Sequence, residues 1–294
     1  TAPPEIYTLS LHDALPISQL AVEITAAVVG IVYLLPMLWS VIASVTPASA
    51  LLEQPLRWIP SQLDFGRYIA ILTPGGVGET GAGFLEAMGN SLFVAAITVT
   101  IALVVSIFGA YAFARLKFAG RRITLALFLS TYMLPQIALL IPLYFILNQL
   151  SLLDSRWGLI LVDLALVVPF TLWILSNYFL TVPEELEDAA RVDGCTRMGA
   201  LWRVVLPSAR PGIVTAIMFA FFLAWDEFLY ALIFTSTYAS KTLPVAIAEF
   251  SGRYTTDFGL VAAGGLVAAL PPVLIALAFQ RNIVSGMSAG AIKG

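Results

Sequence analysis

Charge is scarce in this chain. Of its 294 residues only 11% are Asp, Glu, Lys or Arg, while 60% are apolar. A soluble domain carries roughly a quarter charged residues. With mean hydropathy at +0.92, the composition points to an integral membrane protein. Fifteen cations against eighteen anions leave a formal net charge of −3, and no basic block points to nucleic acid. A single cysteine, Cys195, excludes an intrachain disulfide framework and a multi-cysteine metal site. A single histidine, His12, leaves no imidazole pair for metal or acid–base chemistry. Neither H-E-x-x-H nor the phosphate loop G-x-x-x-x-G-K-[ST] occurs, so a cofactor bound by this chain is not expected and any nucleotide energy source belongs to another chain. Gly286-Met287-Ser288-Ala289-Gly290 fits G-x-S-x-G. With no strand before it and no histidine to act as base, it reads as coincidence.

What is present is long apolar runs. Residues 1–18 (TAPPEIYTLSLHDALPIS) have neither a basic start nor a long apolar stretch, so they are no signal peptide. They resemble a translated sequencing adaptor and are set apart from the fold. Removing Glu5 and Asp13 with them moves the formal charge from −3 to −1. Six spans are expected near 20–45, 88–114, 123–146, 159–180, 213–234 and 260–279. Each has the roughly 20 apolar residues that a bilayer core of about 30 Å requires. Pro36 lies inside span 1, Pro135 and Pro142 are expected to break span 3, and loops run over 46–83 and 235–258. The resulting divisions are 19–85 (first span and loop), 86–280 (transmembrane core) and 281–294 (tail). With the even-numbered span ends inside, ten of the fifteen Lys and Arg residues fall on three inner segments and five on longer outer loops. That bias places both termini in the cytoplasm.

The densest charge lies between spans 4 and 5, over 181–212 (TVPEELEDAARVDGCTRMGALWRVVLPSARPG). Thr181 with Glu184 fits a capping box and Pro183 a first helical turn. Acidic residues follow, as the helix dipole favours. Gly194 stops the first helix. A second, about 197–206, carries Leu201, Trp202 and Val205 on one side, and Pro207 ends it or opens the next helix. The pattern Asp188-Ala189-Ala190, Gly194, Val204-x-Leu206-Pro207 resembles the cytoplasmic E-A-A-x-x-x-G-x9-I-x-L-P motif of the permeases of ATP-binding-cassette (ABC) importers. Asp188 for Glu and Val204 for Ile are its departures. Asn90-Ser91, Leu140 to Tyr144, Trp225 to Phe228, Thr242 to Val245 and the tail Ser288 to Gly294 are similar in wording to the second, shorter permease of the maltose and glycerol-phosphate branch. The likeness covers about 20–294.

The resemblance implies an all-α polytopic protein with the type I ABC importer permease fold, in a bacterial inner membrane, importing a sugar or sugar derivative. The partners it implies are a second permease, two ATPase subunits and an extracytoplasmic solute-binding protein. It places the ATPase-coupling contact on Glu187, Asp188, Ala189, Ala190, Asp193, Gly194, Leu206 and Pro207. The plain alternative is that the hairpin only links two spans. Charges in the spans ask for a reason. Asp226 and Glu227, with Tyr230 on the face that Asp226 shares with Leu223, and Asn90 are candidates for the solute path. Each has a structural alternative, a helix-to-helix hydrogen bond or an approach to the headgroups, as does Asp163. A secondary transporter driven by an ion gradient through Asp226, Glu227 and Asp163, with helices broken at Pro135 and Pro142, is the other functional reading.

Overall fold

The computed structural model describes residues 16–53, 58–74, 80–252 and 256–291. Most of the 1–18 segment, Arg57, the glycines at 75, 76 and 78, Arg253 and the final Ile292-Lys293-Gly294 lie outside them. Among the described residues the structure is all helix, apart from one isolated bridge between Ser251 and Thr256. Four helices are long and apolar enough to cross a membrane alone: α1 (Pro16–Val45), α4 (Thr80–Arg115), α7 (Arg156–Thr181) and α14 (Phe258–Ala291). Two bent pairs raise the number to six. The tail expected from 281 is thus helical as far as 291. The loop expected over 46–83 contains two short helices, α2 (Ala48–Leu51) and α3 (Gly66–Leu72).

The third span is not one kinked helix. Arg121–Met133, comprising α5 (Arg121–Ser130) and a 3₁₀ turn, meets α6 (Gln136–Gln149) at 96°. The residue before a proline is pushed out of the helical region, and Leu134 is extended at φ −74°, ψ 126° ahead of Pro135. Pro142, by contrast, sits inside α6 without interrupting it. The fifth span is also divided. α11 (Arg210–Trp225) ends at Asp226, and α12 (Leu229–Phe234) starts afresh after Phe228.

Apolar side chains pack in three levels along the bundle. The central level joins α4, α7 and α11 to α14 through Ala95, Ala102, Val167, Ala220, Trp225 and Ala263. Small residues let α4 and α7 approach closely; a Cβ on Gly109 would lie 2.7 Å from Leu172. One end is filled by Tyr111, Leu175, Phe179, Leu201 and Val205, so the inter-span hairpin is packed onto the bundle. The other end is filled by Val94, Leu147, Leu159, Tyr230 and Phe234.

Polar clamps close that far end. Arg67, buried on α3, donates to the carbonyls of Ala43 in the last turn of α1 and Thr46 just beyond it, and pairs with Asp257 at 3.2 Å ahead of α14. Asp154, in the turn between α6 and α7, accepts from the backbone of Ser236 and Thr237 and from the hydroxyls of Thr237 and Ser240. Partial burial alone would raise the Asp154 carboxyl, but these hydrogen bonds outweigh it and hold it well below the ordinary carboxylate range. A depressed carboxylate stabilises the fold fully above its unfolded value, about pH 4, and stops doing so only as pH falls through the lower folded value. Asp154→Asn is therefore expected to cost about 2 kcal/mol at pH 7. Thermal unfolding of the two proteins in detergent should keep that gap at pH 5 and close it only in stronger acid.

Candidate functional site

The hairpin is built from local signals. Glu184, Glu185 and Glu187 occupy the first turn of α8 (Glu184–Val192), where carboxylates meet the positive end of the dipole. The expected capping box does not form. Thr181 still belongs to α7, and its hydroxyl donates back to the Tyr178 carbonyl at 2.7 Å. Pro183 is the N-cap residue, one position before the first turn, and no side chain caps the helix.

At the other end of α8, Cys195 N–H donates to Ala190 O (2.9 Å) and Gly194 N–H to Arg191 O (3.1 Å). This pair of bonds is a Schellman closure, and it requires the left-handed backbone that Gly194 adopts at φ +90°. Thr196 then starts the second helix, its hydroxyl accepting from Gly199 N–H at 3.1 Å. That cap follows the glycine at the usual distance from it, a signal available in the sequence and not used. The second helix runs through α9 (Arg197–Ala200), a π-turn at Leu201–Val205 and α10 (Leu206–Ser208). It turns by 79° into α11.

The residues assigned to ATPase coupling divide into two groups. Asp188, Ala189, Asp193, Gly194 and Pro207 are exposed and Ala190 half-buried, whereas Glu187 and Leu206 face inward. Glu187 pairs with Arg115 at 2.9 Å, with both side chains less than 10% exposed, and accepts from the Tyr111 hydroxyl. Arg115 also donates to the Val182 carbonyl at 2.7 Å. Tyr111 and Arg115 lie four residues apart on one face of α4, and together they fasten the start of the hairpin to the end of that helix. Among the described residues Asp188 pairs only with Arg191, at 3.3 Å on the surface, a contact worth little.

Leu201 and Val205 are buried, but Trp202 is not on their side. It is turned about 100° from Leu201 and is 56% exposed. Leu186, Val192 and Met198 are the other large apolar side chains of the hairpin that stay exposed.

The solute-path candidates separate as well. The Asn90 amide takes the helix-to-helix role: it donates to the carbonyls of Tyr238 (2.7 Å) and Lys241 (3.0 Å), tying α4 to the far-end connection. Tyr230 is buried and stacks on Phe234 at 5.7 Å. Leu223 and Asp226 share one cavity wall as expected, but Tyr230 does not join them, because the helix breaks after Asp226. Glu227 accepts from the N–H groups of Tyr230 (2.7 Å) and Ala231 (2.9 Å), thereby capping α12. Asp163 is buried within α7, and its Oδ1 has no hydrogen-bond partner among the described residues. Of these candidates Asp226 alone stays open, on a cavity of about 590 Å³ between the 3₁₀ turn after α5, α6, α7, α11 and the start of α12. Tyr132, Phe170, Phe219 and Phe222 share that wall, although as isolated aromatics in apolar runs they read as lipid or packing contacts.

Residues 102–289 match the family of the binding-protein-dependent transport system inner membrane component. The trehalose transport system permease protein of Mycobacterium tuberculosis is 39% identical over 89% of this chain and 93% of its own. The sulfoquinovosyl glycerol transport system permease protein of Agrobacterium fabrum is 35% identical, over 92% and 93% respectively. Among solved structures, a bacterial ABC transporter involved in the import of the acidic polysaccharide alginate superposes with a TM-score of 0.75. That match has 22% identity and covers 90% of this chain and 96% of the other.

Proposed function

The chain belongs to the family of the binding-protein-dependent transport system inner membrane component, and we propose from that premise that it couples a separate ATPase to sugar import through its 181–212 hairpin. As a permease it is a transport subunit, not an enzyme. The observation that supports the coupling is the hairpin's construction: the Glu187–Arg115 pair locks it to α4, while Leu186, Val192, Met198 and Trp202 stay exposed on its surface. Exposed large apolar side chains on short helices away from the spans suit a protein partner. The rigid attachment would pass that partner's movement to α4, α7 and α11.

The proposed assembly has a second permease, two ATPase subunits and an extracytoplasmic solute-binding protein. A structure of the bacterial alginate ABC transporter, which resembles this chain in fold, is in complex with an alginate pentasaccharide-bound periplasmic protein. The sugar class rests on relatives described as trehalose, sulfoquinovosyl glycerol, diacetylchitobiose and trehalose/maltose permeases. Membership in a binding-protein-dependent family leaves the ion-gradient transporter without support. Of the three carboxylates it needs, Glu227 is taken up by helix capping and Asp163 is enclosed.

With the hairpin in the cytoplasm, the connection after α4 shares that side and the one after α12 faces out. Ala119 and Ala239 are exposed on these two connections, whereas Ser240 is buried against Asp154. In a Cys195→Ser background, Ala119→Cys is expected to react with an impermeant maleimide only from the cytoplasmic side, and Ala239→Cys only from outside. In vesicles of the assembled complex, sugar uptake should require ATP and survive collapse of the proton gradient. Reversed labelling would overturn the orientation. Uptake that needs the gradient and no ATPase would overturn the coupling role.

A further inference from the structure

Two breaks in the transmembrane backbone lie on the same hollow. One is the 3₁₀ turn and Pro135 break ahead of α6, which brings Tyr132 and Gln136 to it. The other is the break after α11, which brings Asp226. Broken helices are tolerated at membrane depth where they line a cavity that water or a polar solute enters. Helix packing alone gives no reason for two such breaks on one cavity.

The wall between them is aromatic. Ring centroids of Tyr132 and Phe170 lie 5.8 Å apart, those of Phe170 and Phe219 5.9 Å, and those of Phe219 and Phe222 6.5 Å. The Tyr132 hydroxyl donates to the Leu166 carbonyl at 2.7 Å, which fixes its ring. Asp226 makes no side-chain hydrogen bond or ion pair with any described residue, while its neighbour Glu227 spends both oxygens on capping. A carboxylate exposed in an otherwise apolar span needs a polar occupant. The volume, about 590 Å³, is in the range of small-molecule sites.

Rigid aromatic faces beside a free carboxylate and an amide match one chemistry. Sugar rings have C–H faces that stack on aromatics and hydroxyls that donate to a carboxylate. Resting on the reading of the chain as a sugar permease, we propose that this hollow is a sugar-contact subsite of this subunit. Phe170 and Phe219 form the stacking wall, and Asp226 and Gln136 hydrogen-bond the hydroxyls. This chain would then contribute to solute selectivity instead of serving only as a scaffold for its partner permease.

The test uses the assembled complex in proteoliposomes with radiolabelled trehalose, maltose, diacetylchitobiose and glucose. Phe219→Ala and Asp226→Ala are expected to lower uptake at least tenfold and to change the ratio between sugars. Subunit co-purification should not change, and Phe219→Tyr should keep most of the uptake. Where a variant fails to assemble, a second measurement decides. Phe228→Cys, in a Cys195→Ser background, opens onto the same hollow, and a sugar that the complex imports should slow its reaction with a maleimide. Wild-type rates and ratios in the variants, or no protection at saturating sugar, would overturn the subsite while leaving the importer intact. A wild-type complex that imports none of the four sugars with ATP would instead overturn the sugar reading, and the subsite with it.

Discussion

Glu187→Ala is expected to free the hairpin from the bundle at a cost of about 3–5 kcal/mol, the usual penalty for removing one partner of a buried ion pair. The Arg115 guanidinium, 7% exposed, would be left charged and without its carboxylate. The Tyr111 hydroxyl would lose its acceptor at the same time. Because Arg115 also holds the Val182 carbonyl, the chain leaving α7 would loosen together with the start of α8. Thermal unfolding in detergent should show a large drop in Tm, and ATPase co-purification should fall even though Glu187 does not lie on the exposed face. The double substitution Arg115→Met with Glu187→Leu separates charge from shape. Replacing both charges by apolar side chains of similar size is often nearly neutral, so it should recover most of the lost Tm. A Glu187→Ala protein with wild-type Tm and full ATPase association would show that the pair does not hold the hairpin.

Gly194→Asp is the complementary case, a change outside the bundle with its main effect on the partner. At φ +90° a non-glycine residue costs about 1–3 kcal/mol. A Cβ at this position would meet nothing within 4 Å, so the cost is conformational and involves no clash. The chain relieves it by giving up the Schellman bonds of Cys195 and Gly194, which set the angle between α8 and α9. The spans have no stake in that angle, so membrane insertion should be unaffected. ATPase association and ATP-dependent uptake are expected to be lost. Asp188→Lys should act in the same direction by reversing an exposed charge beside the open face, and Asp188→Glu should be tolerated. Co-purification and vesicle uptake measure both. Full uptake by Gly194→Asp would reduce the hairpin to a link between two spans.

These two positions differ in how they could be read. Gly194 is visible in the one-dimensional pattern, because only glycine follows an acidic amphipathic stretch at a forced turn without strain. The inward turn of Glu187 is not visible there. Its partners Tyr111 and Arg115 lie 76 and 72 residues away, and nothing in the spacing of α8 tells which of its carboxylates faces the bundle. Asn90, Asp226, Glu227 and Tyr230 show the same limit. As four polar or amphipathic residues in apolar runs they looked alike, and the structure gives them four different positions.

The sequence by itself determined the class of molecule, because hydropathy and length are summed over each run and do not depend on neighbours. It likewise determined the order of the apolar runs, the charged hairpin between the fourth and fifth, and the family resemblance carried by that hairpin's spacing. Only the tertiary structure decided that the fifth span is broken, that Pro142 is harmless where Pro135 breaks the third span, and that Glu227 caps a helix while Asp226 stays open. The reason is that a proline or a carboxylate in an apolar run states only that a backbone or side-chain polar group needs a partner. Whether that partner is the next turn, another helix or the contents of a cavity is settled by what packs alongside.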